Sequence, residues 1–318
     1  MGDAHERICP VYLPPNYDKK RKEPYPVVVF LAGWSSKGSS YLSDESAFGI
    51  PLQTRFDRAI GEGRMPAFIG AFPDGTSKLG CSQYINSPSL GNYGDYICDE
   101  ITSLIDKEFH TYSSANFRAV TGHSSGGFGA LVSGFLRPDR FQFVCSSAGD
   151  SFYEALYLPS VNLMMSELEK SGSLVKFVED FLNHPNPKSL PRSKGEALMS
   201  LSMAACYAPN PSKAPLFGDL FFEPTTGKII PEIWKKYLEW DPIHMVEKNI
   251  QNIKKLKFIL LEAGLQDEYG LQWGHRQLAE KFKKHGVSFE INEYPGTHSG
   301  QNWRFEPRLI NIFSKMFS

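Results

Sequence analysis

The chain has 318 residues, 41% hydrophobic and 13% aromatic, enough for one large α/β domain with a substantial core. Lys plus Arg (34) almost balances Asp plus Glu (35), and a net charge of −1 gives no steering toward nucleic acid or an anionic membrane. No apolar run approaches the roughly 18–20 residues needed to span a bilayer. The five cysteines (Cys9, Cys81, Cys98, Cys145, Cys206) are widely spaced, with no C-x-x-C pair. They read as free thiols rather than a metal or redox site.

In chain order, apolar β-branched runs alternate with helical patterns, the signature of a mostly parallel sheet with helices on both faces. Strands are predicted at Ile8–Leu13, Pro26–Leu31, Ala67–Phe72, Phe117–Thr121, Phe141–Ser147, Phe258–Glu262 and Ser288–Tyr294. The second reads PVVVFL, a continuous apolar run of the kind a strand buried on both faces requires. Helices are predicted at Asp95–Phe109, Gly126–Leu136 and Trp273–His285, the last stopped by Gly286. The stretch 151–253 breaks this rhythm. It is too long for an ordinary connection, shows helical patterns at Ser166–Leu182 and Pro231–Leu238, and reads as a cap or lid inserted into a single domain spanning 1–318. Its aromatics, Phe177, Phe221 and Trp234 among them, fit cap core better than a substrate pocket.

Gly122-His123-Ser124-Ser125-Gly126 matches G-x-S-x-G, and it falls between a predicted strand and a predicted helix. That setting is what a nucleophile elbow needs, with the serine on a strained turn and glycines where side chains would clash. Ser124 is therefore the candidate nucleophile. The N–H of Ser125, at the helix N-terminus, is the candidate first oxyanion donor. The second donor is expected from the loop after PVVVFL, at Gly33 or Trp34.

The pattern points to an α/β-hydrolase fold, in which the acid and then the histidine follow the serine, each after a strand. Only His298, just beyond the last predicted strand, sits where a loop can bring an imidazole to the sheet edge; His275 and His285 fall in a helix. Asp267, after the Phe258–Glu262 strand, is the leading acid, with Asp150 and Glu268 as rivals.

These residues resemble the esterase D-like family of α/β-hydrolases, related to S-formylglutathione hydrolases, feruloyl esterases and enterochelin esterases. The resemblance rests on Val11-Tyr12-Leu13-Pro14-Pro15-Asn16-Tyr17-Asp18, on Tyr96–Phe109, on Gly122–Phe143 with Arg137-Pro138-Asp139-Arg140-Phe141, and on Gly296-Thr297-His298 followed by Trp303-Arg304. It covers most of 8–150 and 240–310 and leaves the insertion unexplained. Ala32-Gly33 stands where the family often has His-Gly, and little chain precedes Val11 where members usually carry another strand.

The expectation is a serine carboxylesterase acting on a small-molecule acyl ester through Ser124, His298 and Asp267, with no metal and no cofactor. Acyl transfer, peptidase-like cleavage and a catalytically silent binding scaffold are the alternatives. A polar N-terminus without a leader suggests a cytoplasmic protein, or a secreted one trimmed of its leader; a homodimer fits the reading.

Overall fold

The computed structural model describes residues 1–43 and 50–318. Seven strands form one sheet: β1 (Val11–Tyr12), β2 (Val27–Leu31), β3 (Ile69–Ala71), β6 (Arg118–His123), β7 (Phe143–Ser147), β8 (Phe258–Gly264) and β9 (Phe289–Tyr294). A separate two-stranded ribbon is made by β4 (Asn86–Ser87) and β5 (Gly91–Asn92). The order in the large sheet is β1-β3-β2-β6-β7-β8-β9. Only β1 runs antiparallel, pairing Val11 with Ala71; the other neighbours are parallel. This is an α/β-hydrolase fold, and each expected strand forms, the first shortened to two residues.

The side-chain period of two divides the core between the two faces of the sheet. Val27, Val29, Leu31, Val120, Val144, Ile259 and Leu261 pack on one side. They meet helices at 93–108, Ser125–Leu136, Pro242–Ile253 and Leu271–His285. Val28, Phe30, Ala119, Phe143, Phe258 and Leu260 pack on the other, against Leu52–Gly61 and the C-terminal helix Phe305–Met316. Every position of β2 is buried, which explains its unbroken apolar run.

Between β7 and β8 the chain is largely helical, with helices at Val161–Ser171, Leu174–Leu182, Arg192–Tyr207 and Pro231–Leu238. The helix expected over Ser166–Leu182 is two helices, because Gly172 adopts φ 82° and caps the first. Tyr153, Tyr157, Tyr207 and Tyr237 are buried and pack ring against ring. Ser87 Oγ and Ser89 Oγ donate to Ala205 O (2.6 Å) and Phe217 O (2.5 Å), tying this segment to the β4–β5 ribbon. Its last helix, Pro242–Ile253, packs on Ser125–Leu136 and Leu271–His285 and so belongs to the layer that flanks the sheet. No helix among the described residues is long and apolar enough to cross a membrane.

Candidate active site

The parallel strands all deliver their C-terminal ends to one edge of the sheet, where crevices between loops take ligands. Ser124 lies there, between β6 and the helix Ser125–Leu136, with φ 58° and ψ −127°. This conformation is strained for any residue with a side chain. It is held from outside: Ser124 N donates to Ser147 O at the end of β7 (2.9 Å). The turn closes only because its neighbours lack side chains. A Cβ on Gly122 would lie 2.2 Å from Gly126 O, and one on Gly126 2.0 Å from Leu31 O. The loop after β2 reaches the serine as well, since a Cβ on Gly33 would sit 3.4 Å from Ser124 Cβ. Ser125 is the first residue of its helix, where backbone N–H groups have no partner within the helix.

The loops after β8 and β9 are clamped together. Leu265 N donates to Tyr294 O (2.9 Å), Gln266 N to Gly296 O (2.9 Å), and Gly296 N to Gln266 Oε1 (2.9 Å). His298 N donates to Glu268 Oε2 (2.8 Å). The clamp sets the His298 ring against Asp267, with Nδ1 2.8 Å from Oδ2. Tyr269 N donates to the other carboxylate oxygen (2.9 Å). The Asp267 side chain is fully buried and that of His298 only 11% exposed, so the pair is protected from solvent screening. A proton held on Nδ1 by that carboxylate leaves Nε2 free to accept one.

The His298 ring is flanked by Tyr269, edge-on at 4.8 Å, and by the His123 ring at 4.6 Å. Burial, with smaller contributions from His298 and Arg308, pushes the His123 imidazole down to about 3. At neutral pH it is therefore an uncharged neighbour and does not oppose a charge on His298.

Ser124, His298, Gly33 and Trp34 line one cavity of about 360 Å³. Leu156, Tyr157, Met199 and Met203 supply a wall from the segment between β7 and β8. The expected serine, histidine and oxyanion-loop residues thus meet in one place, with Asp267 behind the histidine. Neither rival acid hydrogen-bonds the His298 ring. Glu268 holds the His298 backbone, while Asp150 lines the cavity and accepts from Gln83 Nε2 (3.0 Å) and Tyr157 OH (3.4 Å). Burial raises the Asp150 carboxyl to about 6. Most of the insertion's aromatics are core, as Phe177 and Phe221 show; Tyr157 is the exception that reaches the cavity. Sequence reasoning missed His123 and Gln83, and weighed Tyr157 only with the insertion aromatics that fit cap core better than a pocket. His123 occupies the open second position of the motif, and Gln83 carries no local signal. Away from the cavity, Glu154, Asp241 and His244 approach one another as metal ligands would. Asp241, however, accepts from Phe152 N, Tyr153 N and Ile243 N and caps the following helix.

The fold and this strand-end cavity define a hydrolase of the α/β-hydrolase class. More particularly, the chain belongs to the Esterase family, described as Putative esterase, whose profile matches residues 4–316. It is a carboxylic ester hydrolase. A curated relative, the endo-1,4-beta-xylanase/feruloyl esterase of Xylanibacter ruminicola, is 28% identical over 136 residues. The match covers 42% of this chain and 18% of that longer protein. Among solved structures, a ferulic acid esterase superposes with TM-score 0.62 at 15% identity, covering 97% of this chain and 92% of its own. An S-formylglutathione hydrolase from Agrobacterium tumefaciens gives TM-score 0.56 at 15% identity, covering 98% and 88%. At such identities the structural likeness speaks for the fold.

Proposed function

We propose that the protein hydrolyses small-molecule acyl esters through a covalent acyl-enzyme on Ser124. His298 Nε2 takes the Ser124 hydroxyl proton as Oγ attacks the ester carbonyl carbon, and returns it to the departing alkoxide. Water, deprotonated by the same imidazole, then attacks the acyl-enzyme; the carboxylic acid leaves and Ser124 recovers its proton. Asp267 fixes the tautomer and balances the imidazolium. The N–H groups of Ser125 and of Gly33 or Trp34 receive the oxyanion, a contribution that commonly amounts to about 10²–10³-fold in rate. No cofactor enters this scheme. Within the segment over 151–253, the part that precedes the helix Pro242–Ile253 acts as a lid that walls the cavity and limits which acyl and alcohol groups enter.

The observation that carries this reading is the 2.8 Å contact between His298 Nδ1 and Asp267 Oδ2, beside a serine on a strained turn that lines the same cavity. The test is labelling with a fluorophosphonate, with the adduct mapped by mass spectrometry, alongside p-nitrophenyl acetate turnover. Ser124 should carry the adduct, and Ser124→Ala should lose both label and turnover by several powers of ten. A folded Ser124→Ala variant that still turned over the ester would refute the assignment.

A further inference from the structure

Asp150 is a buried carboxyl in the wall of the catalytic cavity that the hydrolytic scheme leaves unused. Its Oδ2 accepts from Gln83 Nε2 and Tyr157 OH, and its Oδ1 receives no hydrogen bond from the described residues. No Lys or Arg pairs with it among those residues, although isolated buried carboxylates are costly and normally paired. The support beneath it is built at a cost. Gln83 is fully buried, and it and Tyr84 both sit in the left-handed region (φ 52° and 56°), strain that persists where surrounding structure imposes it. The orientation of the Gln83 amide follows, because only its NH₂ can face a carboxylate, and its Oε1 is left buried without a partner. Strained backbone, a buried amide and a tyrosine hydroxyl thus hold one carboxylate beside Ser124 and His298.

We infer that Asp150, supported by Gln83 and Tyr157, is a specificity-determining residue whose free Oδ1 accepts a hydrogen bond from a hydroxyl group on the ester substrate. The inference rests on the hydrolase reading and names the substrate class within it. A neutral hydroxyl fits better than an ammonium group. Asp150 and His298 are close enough to influence one another electrostatically, and a cation bound between them would oppose the imidazolium that forms on His298 during attack. A site built to pair with a hydroxyl discriminates strongly against the analogue that lacks it, because its own polar group is then left unpaired.

The experiment uses two matched pairs of esters, one differing by a hydroxyl on the acyl chain and the other by a hydroxyl on the alcohol chain. The kcat/KM ratio within a pair is the readout, so general changes in activity cancel. One pair should favour the hydroxylated member by about 10–100-fold. Asp150→Asn should bring that ratio close to one. Equal rates in both pairs, or a preference that survives Asp150→Asn, overturns the inference. So does an ammonium-bearing analogue that outruns the hydroxyl ester. Turnover that does not depend on Ser124 takes the hydrolase reading down first and this one with it, so the two failures are distinguishable.

The wild-type protein supplies a second measurement that needs no variant. The ratio should rise several-fold as pH increases through about 6, where burial places the Asp150 titration. The groups facing Asp150 are His298, Asp267, Tyr157, Tyr153, Tyr207, Cys81 and Cys206. Burial pushes the Cys81 thiol up to about 12 and raises the Cys206 thiol and the three tyrosines well above their ordinary values. His298 and Asp267 act on both members of a pair alike and drop out of the ratio. A ratio that stays flat from pH 5 to 8 refutes the role.

Discussion

At His298 two neighbouring carboxylates hold different parts of one residue. Asp267 accepts at the ring Nδ1, fully buried, while Glu268 accepts from the backbone N–H near the surface. That backbone N–H, with Glu268's own, keeps the Glu268 carboxyl below the usual carboxylate range. The two positions should therefore respond differently to substitution. Asp267→Asn presents an amide N–H or a weaker acceptor to Nδ1 and disturbs the tautomer, so kcat should fall by about 10³–10⁴-fold with KM little changed. Glu268→Ala only loosens the loop and should cost about tenfold or less. Steady-state kinetics on p-nitrophenyl acetate compare them, and a loss at Glu268 as large as that at Asp267 would reverse the assignment of the acid.

The strands that carry these loops were legible because burial on both faces leaves no room for polar residues: Val27–Leu31 and Phe258–Leu261 are apolar without interruption. The elbow was legible because its glycines are dictated by contacts closer than a side chain allows. The C-terminal helix Phe305–Met316 was not seen, since Pro307 lies in its first turn and a charged residue, Arg308, occupies its buried face. The cavity wall was equally hidden: Gln83 and Asp150 meet across 67 positions, and only the packed chain brings them together. Arg308 explains why the helix tolerates a buried charge. Its Nε donates to Glu262 Oε2 at 2.7 Å, both side chains are 1% exposed, and Arg304 reaches the other oxygen. The pair joins the strand that leads to Asp267 with the helix that follows His298. Arg308→Met should destabilise the fold by roughly 3–5 kcal/mol, because it leaves a buried carboxylate short of its partner. The double variant Glu262→Met, Arg308→Met should recover at least half of that. Thermal melts of the three proteins at one pH decide it; a single variant as stable as wild type would show that the pair contributes nothing.

Over the whole molecule, the buried ionisable groups give stability a pH dependence whose sign can be worked out. His275 is sealed between β7 and its own helix, with Nε2 3.3 Å from both Ser146 Oγ and the Gly149 N–H. Burial depresses it to about 4, and His123 to about 3, although His123 borders the cavity and water there tempers its share. An unfolded histidine takes its proton near pH ~6.5, so below that the unfolded chain binds protons the native state refuses. Native stability from these groups is complete above about pH 6.5 and declines as pH falls toward their depressed values, by at most about 1.4 kcal/mol per pH unit for each. Asp150 acts in the opposite direction. Raised to about 6, it takes up its proton in the native state before the unfolded carboxyl does at about 3.9, so acidification relieves a cost carried at neutral pH. Asp241, buried and raised likewise, adds to that relief, while carboxyls held below the usual range, Glu268, Asp99 and Asp139 among them, join the two histidines in losing stability, so the net is a loss on acidification. Urea titrations at pH 8, 6 and 4.5 should show that decline in the wild-type protein and a shallower one in His275→Gln, whatever its absolute stability. Asp150→Asn should be more stable than wild type at pH 8 and lose that advantage near pH 4.5. This is the behaviour expected where a carboxylate is kept at the expense of stability because function needs it. An Asp150→Asn variant less stable than wild type at pH 8 would instead mean that the native fold depends on the charge.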